Sequence, residues 1–120
     1  MKLSIGDIID RWAIAFLKHS RANIDTTPEI NSYLDYINGK YNQKDVKDYF
    51  DKLLKVNGDI WWLESDIRKG KEGELGLEEV GRRALAIRDL NGNRVRFKNE
   101  LNRKYNEGFE EIKVDHASKS

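Results

Sequence analysis

Residues 42–69 read "NQKDVKDYFDKLLKVNGDIWWLESDIRK", and their apolar positions recur at helical spacing. Val46, Phe50, Leu53, Asn57, Ile60, Glu64 and Ile67 follow one another in alternating steps of 4 and 3 residues. Such steps keep every one of these side chains on a single face of a helix. Residues 77–105 repeat the pattern through Leu77, Val80, Ala84, Ile87, Asn91, Arg94, Lys98, Leu101 and Tyr105. A glycine-punctuated loop, Gly70 to Gly76, separates the two runs. Together they predict a long antiparallel helical hairpin. Tyr49, Leu54, Val56, Trp61 and Leu63 widen the apolar face of its first arm, so that arm needs more than one neighbour. The expected fold class is therefore all-α, an antiparallel helical bundle rather than a two-stranded coiled coil.

Working outward, Asn42 caps the hairpin's first helix, which should reach Lys69, and the second should run from about Leu77 to Asn106. Ser4 followed by Asp7 marks an earlier helix start, with a capping hydroxyl and an acid near the positive end of the dipole. From Ile5 to Arg21 apolar residues fill nearly every face, which predicts a central helix buried on more than one side. Thr27-Pro28-Glu29 opens another helix, with threonine as cap and proline at the first helical position. Its stripe is Ile30, Tyr33, Leu34 and Ile37, and Gly39 ends it. These elements predict one helical domain over 1–106, followed by a polar tail over 107–120.

Composition agrees. The chain has 120 residues, enough for one domain. Charged residues make up 36% of it, against roughly 25% in an average globular chain. Aromatics at 10% can build a core, which argues against disorder. With no cysteine, a disulfide scaffold and a thiolate metal site are excluded. A net charge of +1 gives no global pull toward nucleic acid or an anionic membrane. The longest uninterrupted apolar run near the start, Trp12 to Leu17, is too short for a signal core or a spanning helix. The simplest expectation is a cytoplasmic protein.

Five positions of the hairpin seam are polar: Asn57, Glu64, Asn91, Arg94 and Lys98. Asp10 on the first helix joins them, flanked by Ile14 and Leu17. A buried charge costs several kcal/mol unless it is paired, so these groups should meet one another or a ligand. Asn57 alone reads best as a register-fixing core amide. Arg94 and Lys98 are different, since two cations one turn apart repel and invite an anion between them. With Asn91 and Asn102 they form a donor-rich strip suited to phosphate, carboxylate or sugar hydroxyls. Structural pairing and ligand binding both remain open for this set.

Other signals point less far. Arg82 to Lys104 holds eight basic and two acidic residues, yet no aromatic is interleaved on its outer face. A solvated helix face explains it better than nucleic-acid binding. Trp62 offers a stacking platform or a packing contact. His19 and His116 lack ligand-spaced partners, so no metal is expected, and no nucleophile–base constellation or other cofactor motif is present.

The stretches "SIGDIIDRWAIAFLK", "VNGDIWWLESDIR" and "LNGNRVRFKNELN" resemble a family of small all-helical bacterial and phage proteins of unknown function. Members of that family often sit near glycosyltransferase and surface-polysaccharide genes. The matching positions are Gly6, Asp7, Asp10, Arg11 and Lys18, then Asn57, Trp61, Glu64, Ile67 and Arg68, then Asn91, Arg94, Lys98 and Asn102. Ser65 and Gly92 stand where the pattern has aspartates, and Leu85 where it has an arginine. The stretch "DIIDRWAIAFLKHSR" is also similar to the first helix of the all-helical chorismate mutases, which clamp a dicarboxylate with cations. That resemblance implies such roles for Arg11, Arg94 and Lys98.

The expected function is non-catalytic. It is a binding module for an anionic small molecule (phosphate, nucleotide or sugar nucleotide), using Asp10, Arg11, Asn57, Trp61, Glu64, Arg68, Asn91, Arg94, Lys98 and Asn102. The resemblance implies a phage sequestering protein or an accessory of glycan assembly. The alternative is a structural or interaction protein that dimerises through its tryptophans, and a chorismate-mutase-like enzyme is the third reading. A homo-oligomer is expected, and no membrane or nucleic-acid partner.

Overall fold

A computed structural model describes residues 3–108, which are helical throughout their regular elements. Helix α1 spans Ile5–Arg21, and Ser4 caps it by accepting a hydrogen bond from the Asp7 N–H at 3.3 Å. Ile5, Ile8, Ile9 and Ala13 are fully buried, so α1 is the centre of the core, as its all-round apolarity predicts. Helix α2 spans Thr27–Ile37 and buries only Ile37, which makes it a cover rather than a core element. Its start differs from expectation: Thr27 is already helical and Thr26 takes the cap position. The Thr26 hydroxyl makes no capping bond there. It donates instead to the Ala15 carbonyl at 2.7 Å and ties the loop to α1.

Helix α3 spans Gln43–Arg68, with the Asn42 side chain accepting from the Lys44 and Asp45 N–H groups. The loop after it holds a single helical turn, α4, Glu72–Leu75, within the segment expected to be irregular. Helix α5 spans Leu77–Lys104 and stops short of Asn106, whose φ of 53° breaks the right-handed path.

The arms α3 and α5 pack as the expected hairpin, and α1 packs against both. Along α5 the register is antiparallel: Gly6 faces Lys98 and Asn102, and Asp10 faces Arg94. Gly6 makes this crossing possible. A Cβ there would stand 2.6 Å from the Lys98 carbonyl oxygen and 2.7 Å from Asn102 Oδ1. Those contacts leave no room for a methyl group between the two backbones.

One part of the seam departs from its periodicity. Leu77 is 90% exposed and Leu85 55%, although the spacing of Leu77 places it on the buried face. The cause is helix length. At about 1.5 Å per residue, the 17 residues of α1 cannot cover the 26 of α3. Beyond the end of α1 the hairpin has two layers only, and its apolar positions there stay partly wet.

The domain boundary also moves. Glu107 was expected to open the loose tail, yet it accepts the Ile5 N–H at 2.9 Å and the Tyr41 hydroxyl at 2.6 Å. It thereby satisfies a first-turn donor of α1 that the helix itself leaves open. The domain therefore runs at least to Gly108, where a Cβ would already strike Ser4. The rest of the expected tail, with His116, lies outside the described residues.

Two consequences can be measured. Gly6→Ala should force α1 and α5 apart and destabilise the fold by about 1–3 kcal/mol in chemical denaturation. The second concerns alkali. Burial, followed by a hydrogen bond to Glu107, raises the Tyr41 phenol above its ordinary value. Tyr49 and Tyr105 are raised too, again chiefly by burial. These phenols ionise in the unfolded chain near about pH 10, before they do so in the folded one. Their contribution is thus complete below that pH and is lost as pH climbs through the raised folded values. Denaturation midpoints should fall between about pH 9 and pH 11, and less steeply in Tyr41→Phe.

Candidate functional site

The polar seam resolves into two parts. The deeper part begins with Asp7 and Asp10, one turn apart on α1, facing Lys98 and Arg94, one turn apart on α5. Asp10 is only 2% exposed. Arg94 Nε donates to its two oxygens at 2.9 and 3.1 Å, and Nη2 to Oδ2 at 2.6 Å. Asn57 Nδ2 adds a bond to Asp10 Oδ1 at 2.9 Å and a second to the Leu53 carbonyl. Lys98 Nζ sits 3.0 Å from Asp7 Oδ1, and Asn102 Oδ1 accepts the Gly6 N–H at 2.7 Å.

This settles what stands beside the two cations. The sequence invited an external anion between Arg94 and Lys98, but in the fold each takes a carboxylate of α1. Antiparallel packing matches the two spacings and brings opposite charges into contact. Asp7 was read as a first-turn acid and as a position of the family resemblance, not as a partner for Lys98. Its three-residue offset from Asp10, set against the four-residue offset of Arg94 and Lys98, carried the missing signal. Lys98 and Asn102 are thus fastenings between α1 and α5.

The outer part is a cleft of about 370 Å³ between the last turns of α1 and the two arms of the hairpin. Ile14, Leu17 and Lys18 line it from α1, and Asn57, Ile60, Trp61, Glu64 and Arg68 from α3. Asn91 and Arg94 close it from α5. The Arg68 guanidinium lies over the Trp61 ring, 4.6 Å from its centroid. Arg94 forms the cleft's inner wall, held in orientation by Asp10 beneath. Among the described residues, the side chains of Lys18, Glu64 and Asn91 make no hydrogen bond or ion pair. The cleft therefore offers an ammonium, a carboxylate and an amide to solvent, together with an aromatic ring.

The structure thus gathers Asn57, Trp61, Glu64, Arg68, Asn91 and Arg94 around one space, with Asp10 directly below. Arg11 is placed elsewhere. It lines a neighbouring cavity of about 210 Å³ with Ile14, Ala15, Lys18, Glu29 and Tyr33. Lys18 was singled out by resemblance alone, because an exposed lysine on an apolar helix carries no periodic signal. A larger groove of about 620 Å³ between α2 and α3, floored by Trp12 and Phe50, holds none of the expected residues.

The basic stretch of α5 is paired rather than open. Arg82 and Arg83 contact Glu79, Arg96 contacts Glu100, and Lys104 contacts Asp45. Trp62 is 62% exposed, with the Arg21 guanidinium 4.8 Å from its ring centroid. Among the described residues, no cluster of His, Asp and Glu could hold a metal ion, and no helix is long and apolar enough to cross a membrane. Family models, curated proteins and solved structures give no match to this chain.

The asymmetry of the deep pair makes a prediction. Arg94→Ala would leave a carboxylate buried at 2% exposure with the Asn57 amide still donating to it. Breaking a buried pair in this way costs about 3–5 kcal/mol. Asp10→Asn should cost less, because the Arg94 side chain is 31% exposed and can turn to water. Urea denaturation of the two variants gives the order directly.

Proposed function

We propose that this chain is a binding module for a small anionic molecule, a phosphate-bearing sugar or nucleotide, held in the cleft between α1, α3 and α5. The observation that carries this reading is a set of three polar side chains around the cleft that have no partner among the described residues. Lys18, Glu64 and Asn91 come from three different helices, face one space and make no side-chain bond among the described residues. A purely structural seam would have drawn them together, as it did Asp10, Arg94 and Asn57. Lys18 supplies charge for the anion, Asn91 and Glu64 pair with amide or hydroxyl groups, and Trp61 offers a ring for stacking. The volume falls within the range of small-molecule sites, about 300–1,000 Å³. No group in the cleft is arranged as a nucleophile with its base, so the reading stays with binding. The clamp of a mutase-type site has little support, since Arg94 and Lys98 are already engaged by Asp10 and Asp7. A role in phage metabolite sequestration or glycan assembly would follow from the family resemblance and belongs to the same proposal.

Self-association is a second reading, and one observation favours it: Trp62, Leu77 and Leu85 are exposed on the hairpin. Native mass spectrometry of wild type and Trp62→Ala tests it by subunit count.

The binding reading is tested by thermal shift against a panel of sugar phosphates, nucleoside monophosphates and small carboxylates. Stabilisation should grow with ligand concentration over Kd, reaching about 2.7 kcal/mol at a hundredfold excess. Glu64→Gln and Asn91→Ala should keep the unliganded midpoint within about 0.5 kcal/mol and lose that response. No stabilisation by any member, or an unchanged response in both variants, would overturn the reading. Arg94→Ala is unsuited to this test because it breaks the fold's own ion pair.

A further inference from the structure

The cleft does not stand alone. Ile14 and Lys18 line both it and the smaller cavity between α1 and α2, so the two spaces meet along one ridge of α1. Arg11 stands on the same ridge, one turn before Ile14 and two before Lys18. In the smaller cavity Glu29 and Tyr33 of α2 line the same space as Arg11 without bonding to it. Among the described residues, Arg11, Lys18, Glu29 and Tyr33 make no side-chain hydrogen bond or ion pair. Each chamber therefore contains a carboxylate, Glu64 in one and Glu29 in the other, while Lys18 lines both and Arg11 lines the smaller one beside it.

We propose that the two chambers form one bipartite site for a nucleotide bridged through a pyrophosphate or phosphodiester. This deepens the binding reading and rests on it. The charge pattern selects the chemistry. A carboxylate or a terminal phosphate ends a molecule, so neither places its charge in the middle with substituents on both sides. A phosphodiester or a pyrophosphate does, and its oxygens would meet Lys18 and Arg11 on the ridge. The outer carboxylates repel terminal anions and accept hydrogen bonds from ribose or sugar hydroxyls and from exocyclic amines. Trp61 places the nucleobase in the larger chamber. The smaller chamber, about 210 Å³, takes the second hydroxyl-bearing group.

Titration calorimetry on the full chain tests the bridge with matched probes: ADP-ribose and the dinucleotide ApA against AMP, and UDP-glucose against UMP. At least one bridged probe should bind tighter than its monophosphate, on the order of tenfold or more, because the second chamber acts as a linked site. Arg11→Ala and Glu29→Gln, both at exposed positions, should close the gap between bridged probe and monophosphate. Equal affinity for bridged and monophosphate probes, or a gap untouched by both variants, would overturn the bipartite site and leave the single-cleft reading standing. If neither bridged nor unbridged probes bind, and the panel of phosphates and carboxylates also fails, the binding reading falls and this inference with it.

Discussion

The contact on which the rest of the molecule depends is the buried pair of Asp10 and Arg94. It joins the one helix that is apolar on nearly every face to the outer arm of the hairpin. Without Arg94, Asp10 would be a charge in the core, and α1 would have no reason to choose its present register over a neighbouring one. With it, the offset is set, and the lesser fastenings fall into place on the same side of the crossing. These are Lys98 on Asp7, Asn102 on the Gly6 N–H, and Asn57 on Asp10 itself. The pair also decides where the cleft lies. It anchors α1 so that Ile14, Leu17 and Lys18 come beside Glu64 and Asn91, and it holds Arg94 as a fixed wall. A rigid, internally satisfied floor beneath unpaired groups is the arrangement in which a site keeps its shape before a ligand arrives.

Much of this was legible in the residues. Alternating steps of three and four reveal helices and their inward faces, so the hairpin and the polar intrusions Asn57, Glu64, Asn91 and Arg94 could be read directly. Periodicity assigns a face, however, and not a partner. It could not say that Asp10 would consume Arg94 while Glu64 would be left alone, because that choice depends on the register of a third helix. The same blindness explains Leu77. Its spacing continues past the point where α1 ends, and a one-dimensional pattern has no knowledge of how far its neighbour reaches. Glu107 was invisible for a further reason: a single acid in a polar segment has no period, and its value comes from meeting Ile5 at the opposite end of the domain.

Arg11 shows the converse. On sequence it joined the same set as Arg94 and Lys98, but its position on the exposed side of α1 separates it from both. What links it to the cleft is the ridge through Ile14 to Lys18. Helix geometry, rather than burial, connects residues that face different neighbours. Arg94 and Lys98 are locked under α1, Arg82, Arg83 and Arg96 are paired along α5, and Arg11 and Lys18 stand on the ridge.

The fastenings of α1 have a consequence for the order in which the molecule can be made. Its bonds to Arg94, Asn102 and Glu107 span 84, 96 and 102 positions. Within these residues α1 is thus translated long before its partners on α5 and at Glu107. During synthesis Ile5, Ile8 and Ile9 can meet α3, against which α1 also packs, but their seat is closed only by the final turns of α5. Contacts of such long range close late and slow the overall reaction. Until α5 is complete, the side of α1 that it covers stays open, and the native pairing of α1 with α3 is the contact available to shield the rest.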